Sequence, residues 1–263
     1  MLGRAALHYW EEPILADECG SGAVFFAGCS LKCVYCQNYE LSRGRGKEIS
    51  VARLADIFRE LQDKGACNID LVTGSHFIPQ IREALTVFRP SVPVIFNCGG
   101  YESEESLKTL DGLVDIYMPD FKYSDGALAE RYSHAPDYPV VAQVALKEMK
   151  RQVGETTVGK DGLMKKGILA RHLVLPGAVG NSKGVLDTLA RILDRKKDYL
   201  SVMSQYIPFG EAEKYPEINR RLKPIEYKAV VAYAEKLGFE NAFVQYGESA
   251  DDSFVPLFDG TGV

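Results

Sequence analysis

Seven short runs rich in Val, Ile, Leu and Phe punctuate the chain, at residues 23–27, 69–73, 92–97, 114–118, 168–175, 200–205 and 242–245. They show little alternation of apolar and polar residues, so each must be buried on both faces, as parallel strands covered by helices are. Amphipathic helical patterns fill the intervals, at 51–64, 81–88, 103–110, 140–153, 183–194 and 225–237. Ser50 is a candidate cap for the first of these and Gly65 its stop, and Gly238 ends the last. Residues 156–166, with Gly-Lys-Asp-Gly at their centre, read as a hairpin inserted into the series. Strand–helix alternation requires parallel pairing through right-handed crossovers. A full eight-unit barrel takes about 250 residues. A long loop after the first strand and the inserted hairpin use up length here, so about six units fit. The expectation is an α/β protein: an incomplete (β/α)6-type TIM barrel with parallel strands, a single domain over residues 22–263 preceded by an extension, residues 1–21.

The chain of 263 residues is 46% hydrophobic and 25% charged, an ordinary globular balance that excludes disorder, collagen and simple coiled coil. Its net charge of −5 gives no basic face for neutralising phosphates, so nucleic acid is not an expected partner. The basic run from Arg43 to Lys47 is short and glycine-spaced, the pattern of a solvated loop. No apolar run reaches the roughly 20 residues that span a bilayer. The N-terminus also carries charges where a signal peptide needs an apolar stretch. No membrane association and a cytoplasmic location are expected.

In barrels of this class chemistry sits at the C-terminal ends of the strands. The residues after the strand patterns read Gly28-Cys29, Thr73-Gly74-Ser75-His76, Asn97-Cys98-Gly99-Gly100, Asp120-Phe121-Lys122, Pro176-Gly177 and Gln205-Tyr206. Polar residues and glycines therefore gather at one mouth. Three of the six cysteines, Cys29, Cys33 and Cys36, crowd into eight residues of the first of these loops. Soft thiolates at this spacing can curl around one centre and select zinc, iron–sulfur or copper(I). A closed structural site needs a fourth protein ligand, and Cys19 is the only nearby candidate. Three ligands would instead leave one iron of a [4Fe–4S] cluster open to substrate or cofactor. Cys67 and Cys98 lie on other loops, and both read most simply as small buried side chains.

The segment GCSLKCVYCQN, with Tyr35 directly before Cys36 and glycine before Cys29, resembles the radical SAM superfamily. The likeness runs over residues 22–208 and is greatest to pyruvate formate-lyase activating enzyme and its uncharacterised relatives. IDLVTGSHFIPQ resembles that branch's Gly-Gly-Glu motif, with Gly74 matching and Ser75 and His76 standing where Gly and Glu are usual. VIFNCGG has Asn97 for an expected Asp and Cys98 for Thr, MPDFK supplies Asp120 and Lys122, and ARHLVLPG supplies Arg171.

The resemblance implies a [4Fe–4S] cluster on Cys29, Cys33 and Cys36, with S-adenosylmethionine (SAM) chelating the open iron. Reductive cleavage of SAM then gives a 5′-deoxyadenosyl radical that abstracts hydrogen from a substrate. The protein's part is to hold, orient and shield. Tyr35, Gly74, Ser75, His76, Asn97, Asp120, Lys122 and Arg171 are the implied cofactor contacts. Tyr35 is expected against the adenine, and Asn97 with Asp120 are candidates for a monovalent cation beside the SAM carboxylate. Arg171, a charge inside an apolar strand, needs an anionic partner, for which a SAM or substrate carboxylate is a candidate. His172 alternates to the other face and is expected to be structural. Cys98 is a minor candidate for a thiol hydrogen donor. Residues 1–21 are expected near the cluster, with His8 and Trp10 covering its side. An electron donor such as flavodoxin or ferredoxin is implied. The expected activity is that of an oxidoreductase of activating-enzyme type acting on a glycyl radical enzyme. A small molecule, peptide or RNA substrate is the alternative, as is a non-catalytic iron–sulfur or zinc scaffold closed by Cys19.

Overall fold

The computed structural model describes residues 1–245 and 258–263. Residues 246–257, inside the barrel expected over 22–263, lie outside the described residues. The chain opens with β1 (Leu2–His8) and β2 (Ser21–Phe26), then α1 (Tyr39–Ser42), α2 (Val51–Asp63) and β3 (Ile69–Val72). A 3₁₀ turn (Gly74–Phe77) leads into α3 (Ile78–Val87), followed by β4 (Val94–Cys98), α4 (Glu104–Lys108) and β5 (Ile116–Pro119). Next come α5 (Gly126–Ser133), α6 (Tyr138–Val153), β6 (Thr157–Val158), β7 (Met164–Leu173) and α7 (Val179–Ile192). The series ends with β8 (Tyr199–Met203), α8 (Pro224–Lys236) and β9 (Ala242–Val244).

The sheet runs β1-β2-β3-β4-β5-β7-β8-β9. From β2 to β9 every neighbour is parallel, so seven parallel strands are joined by six helical crossovers. Among the described residues β1 and β9 do not pair with each other, and the barrel stays open. The expected incomplete α/β barrel is what forms, and β6 pairs antiparallel with β7 as the inserted hairpin. Ser50 caps α2 through its side chain, which accepts from Arg53 N at 3.1 Å. Among the described residues no helix is long and apolar enough to cross a membrane.

Alternation along the strands sorts two apolar populations. Phe96 and Tyr117 face the helices, whereas Ile95, Ile116, Met118 and Leu169 face the barrel interior. Ile14 and Leu15 pack into that interior group and plug the end where the strands begin. The plug is pinned by Asn68 Nδ2 donating to Leu15 O at 2.8 Å and by Met164 N donating to Ile14 O at 2.8 Å.

Three elements escaped the sequence reading. β1 is antiparallel to β2, and its pattern is obscured by Arg4 in the middle of an apolar run. Helices α1 and α5 are one and two turns long, too short to show a period. The β1 register places Leu2 opposite Phe26, at the cysteine end, and His8 opposite Ser21, at the far end. Residues 8–20 are therefore at the opposite end of the strands from the cysteine loop. This corrects the expected placement of His8 and Trp10, and Trp10 is 66% exposed.

Gly100 lies in the turn after β4 with φ +77, and a Cβ there would strike the carbonyl oxygen of Asp120. Left-handed backbone and overpacking act together at this position. Gly100→Ala is expected to destabilise the fold by about 2–4 kcal/mol in urea unfolding. A loss under about 1 kcal/mol would show that β5 is not held against this turn.

Candidate active site

Beyond β2 the chain turns at Gly28, which has φ +97, and its amide donates to Leu41 O at 2.8 Å. Lys32 is also left-handed, and Cys36 N donates to Cys33 O at 3.2 Å, so the cysteine loop curls on itself. Two backbone bonds clamp it from outside: Val34 N to Tyr132 O at 2.9 Å and Glu211 N to Val34 O at 2.7 Å. Cys29, Cys33 and Cys36 are free thiols, and all three line one cavity of about 210 Å³ at the C-terminal ends of the strands. Asn97 and Cys98 from β4, Asp120 and Lys122 beyond β5, and Arg171 from β7 line the same cavity. The mouth predicted from the strand-end residues is thus real.

Arg171 organises its floor. Nε donates to Asp120 Oδ1 at 3.0 Å, Nη2 to Asn97 Oδ1 at 2.8 Å, and Nη1 to Glu11 Oε2 at 3.5 Å, with Glu12 Oε2 at 4.0 Å. The anions that balance this guanidinium are therefore the protein's own, where the sequence reading named a ligand carboxylate as candidate partner. Two of them, Glu11 and Glu12, come from the N-terminal plug. Lys122 Nζ donates to Asp120 Oδ2 at 2.7 Å, so Asp120 stands between two cations. Burial works against its charge, but Lys122 and Arg171 outweigh burial and hold its carboxyl below the usual range. Burial raises the carboxyls of Glu11, Glu12 and Asp70. Asp70 Oδ1 and Glu12 Oε2 are buried without a hydrogen-bond partner. His172 lies on the other face, with Nδ1 2.7 Å from Phe121 O and Nε2 2.9 Å from Ser182 Oγ, and burial pushes it down to about 4. Its place is structural, as expected.

The Thr73–His76 segment is not all drawn into the cavity. Thr73 lines it, but Gly74 is packed against Ile81 and Phe96, and His76 is exposed beyond Gly28. Ser75 Oγ donates at 2.6 Å to Glu102, a buried side chain that the sequence reading missed. A carboxylate from the loop after β4 is thus brought beside the position where the resemblance asks for glutamate. The only signal for it was an acid two residues past Gly99-Gly100. Burial, then Glu102, raises the Cys98 thiol. Tyr35 lines the cavity, yet its hydroxyl points into the core, 2.7 Å from Tyr123 Oη. Cys19 is disulfide-bonded to Cys67, so neither is a small free side chain and Cys19 is not free to close a four-cysteine site.

Burial, followed by Cys33 and Cys29, pushes the Cys36 thiol up to about 12, and burial raises Cys33 as well. These thiols stay neutral until a metal displaces their protons. Among the described residues no three His, Cys, Asp or Glu side chains converge tightly enough to hold one ion. A cubane cluster asks something different, because each thiolate takes its own iron. Three free thiols along one cavity wall, with Lys122 close enough to Cys33 and Cys29 to feel their charge, fit that donor set.

Residues 23–125 match the family model of the radical SAM superfamily. The chain is 28% identical over 248 residues to an uncharacterized protein of Methanocaldococcus jannaschii, covering 89% of this chain and 67% of that one. Among solved structures it is similar to Streptococcus suis SuiB bound to its precursor peptide SuiA (TM-score 0.55, 12% identity, 84% of this chain and 47% of SuiB). It is also similar to HydG, a maturase of the [FeFe]-hydrogenase (TM-score 0.54, 15% identity, 82% and 48%). Methylornithine synthase PylB is a third (TM-score 0.53, 14% identity, 91% and 69%). The chain spans about half the length of SuiB and HydG, and at these identities the likeness establishes the fold.

Removing Arg171 would leave Glu11 and Glu12 buried without the cation they face and Asp120 with Lys122 alone. Arg171→Met is expected to cost about 3–5 kcal/mol at neutral pH. Burial already raises Glu11, Glu12 and Asp70, so the folded state takes up their protons first, and their contribution to stability falls as pH rises through the raised values. The penalty should therefore shrink near pH ~4, where these carboxyls are neutral. Urea unfolding at both pH values checks this, and an equal loss at both would contradict it.

Proposed function

We propose that this chain, which carries a radical SAM domain over residues 23–125, is an oxidoreductase that initiates hydrogen abstraction from a polypeptide substrate. A [4Fe–4S] cluster on Cys29, Cys33 and Cys36 with SAM bound would supply reductive cleavage of SAM to a 5′-deoxyadenosyl radical. One observation carries the reading: the three free thiols share a single cavity with a paired set of charged strand-end residues.

The chain's own residues divide the remaining work. Lys122 is the cation placed to meet a carboxylate, because Arg171 is engaged on three sides whereas Lys122 Nζ has Asp120 as its single ion-pair partner among the described residues. Asn97 and Asp120 both accept from Arg171, so we read its guanidinium as taking the place of the monovalent cation that the resemblance implies. Ser75, the residue before His76, donates to the buried carboxyl of Glu102. The apolar plug of Ile14 and Leu15 closes the barrel end away from the cavity and keeps water from entering there. Cys98 stands in the cavity wall as a neutral thiol, able to donate a hydrogen atom to a substrate radical.

A peptide is the substrate class that the similarities favour, since SuiB was crystallised with its precursor peptide and the sequence resembles enzymes that act on a protein glycine. A flavodoxin or ferredoxin is the class of donor that would deliver the electron. The closed scaffold loses its best ligand to the Cys19–Cys67 bond, and Glu102 opposes a thiolate at Cys98.

Reconstitution with iron and sulfide without oxygen, then dithionite and SAM, should yield 5′-deoxyadenosine by mass spectrometry. The Cys29/Cys33/Cys36 triple-Ala variant should yield none. Lys122→Met should weaken SAM binding about 10–100-fold, the loss of one charge-assisted bond. Iron uptake without SAM binding in the intact protein would return the site to a scaffold.

A further inference from the structure

Behind the cysteine loop lies a file of buried hydroxyls. Tyr35 Oη is 2.7 Å from Tyr123 Oη, Tyr123 Oη is 2.7 Å from Ser133 Oγ, and Ser133 Oγ donates to Cys33 Sγ at 2.9 Å. Ser133 and Tyr123 are fully buried, Tyr35 nearly so, and no water-exposed group interrupts the file. Each hydroxyl carries one proton, and there are three links for three protons.

The direction of the file follows from its ends. If Cys33 is a thiolate it can only accept, so Ser133 must donate to it, Tyr123 to Ser133 and Tyr35 to Tyr123. All three protons are then used. If Cys33 were a thiol donating to Ser133 and the file were reversed, the Tyr35 proton would be left buried with nothing to bond, because Tyr123 is its one partner among the described residues. Such an orphan costs about 1–3 kcal/mol. The file is therefore complementary to Cys33 as a metal-bound thiolate. A second hydroxyl, Ser42, lies beside Cys36 and donates to Tyr39 O at 2.7 Å.

We propose that Ser133 is a positioning residue that tunes the cluster through Cys33, and that Tyr123 and Tyr35 fix the direction of its hydroxyl. This rests on the reading of Cys29, Cys33 and Cys36 as cluster ligands. A donor on a ligand sulfur withdraws charge and stabilises the reduced cluster, raising its potential. Donors in series polarise one another, so the effect should exceed that of one isolated hydroxyl.

The test is a redox titration of the reconstituted cluster followed by electron paramagnetic resonance, without SAM or substrate. Ser133→Ala should lower the midpoint by about 59 mV, a tenfold shift in the oxidised-to-reduced ratio of a one-electron couple. Tyr123→Phe should move it less and in the same direction, and Ser133→Thr should restore it. A proton hyperfine coupling that the wild type shows in H2O and loses in D2O should be missing from Ser133→Ala in H2O. A Ser133→Ala cluster with full iron content and an unchanged midpoint would overturn the tuning role. An unchanged midpoint in Tyr123→Phe alone would remove the tyrosines from it. A wild-type protein that takes up no cluster would instead defeat the ligand assignment, and the tuning role with it.

Discussion

A guanidinium inside a sheet barrel is stable only if anions close around it, and Arg171 ties three distant parts of the chain together for that reason. Its fork reaches β4 through Asn97, the end of β5 through Asp120, and the N-terminal plug through Glu11 and Glu12. None of these groups is favourable alone at that depth. Asp120 is held ionised because Lys122 joins Arg171 beside it, and the resulting alternation of charge defines the cavity floor. The fold and the site consequently share a keystone. The N-terminal segment, far from the cysteine loop along the strands, still contributes to the site by neutralising the residue that positions Asn97 and Asp120.

The two ends of the barrel are built unlike one another. Where the strands begin, Ile14 and Leu15 meet Ile95, Ile116, Met118 and Leu169, and the Cys19–Cys67 bond lies beside the start of β3. Where they end, thiols, amides and charges join aliphatic side chains such as Leu31, Val72 and Leu173. Parallel strands make this division possible, because every crossover returns the chain to the same end and every strand-end loop is delivered to the same mouth.

That logic explains what the sequence could and could not disclose. The seven parallel strands, the helices between them other than α1 and α5, and the hairpin were legible because buried runs and 3.6-residue periodicity are local properties. The cysteine loop and the strand-end residues Asn97, Asp120, Lys122 and Arg171 were legible for the same reason, since position at a strand end is itself local. Partners were not. That Arg171 faces Glu11, or that Ser75 meets Glu102, depends on residues 160 and 27 positions apart. β1 was hidden by Arg4, and the exposure of His76 could not be read from a motif that placed it in line with the cavity.

On the proposed reading of the cysteine loop, charge also decides how the site would accept an electron. Adding negative charge to a buried thiolate-bound centre in a low-dielectric cavity demands compensation. A further cation would be the strongest remedy, but the buried cations here already require carboxylates: Lys122 and Arg171 share Asp120, and Arg171 also has Glu11 and Glu12. Adding another pair would add another desolvation penalty of several kcal/mol per ion. Neutral hydroxyls avoid it. Tyr35, Tyr123 and Ser133 direct partial positive charge at Cys33 without bringing a net charge into the core, and their mutual bonds leave no polar group unpaired. Dipoles compensate on the helix side of the cysteine loop and ion pairs on the cavity side, so the two devices act on the same sulfur from different directions without competing for partners.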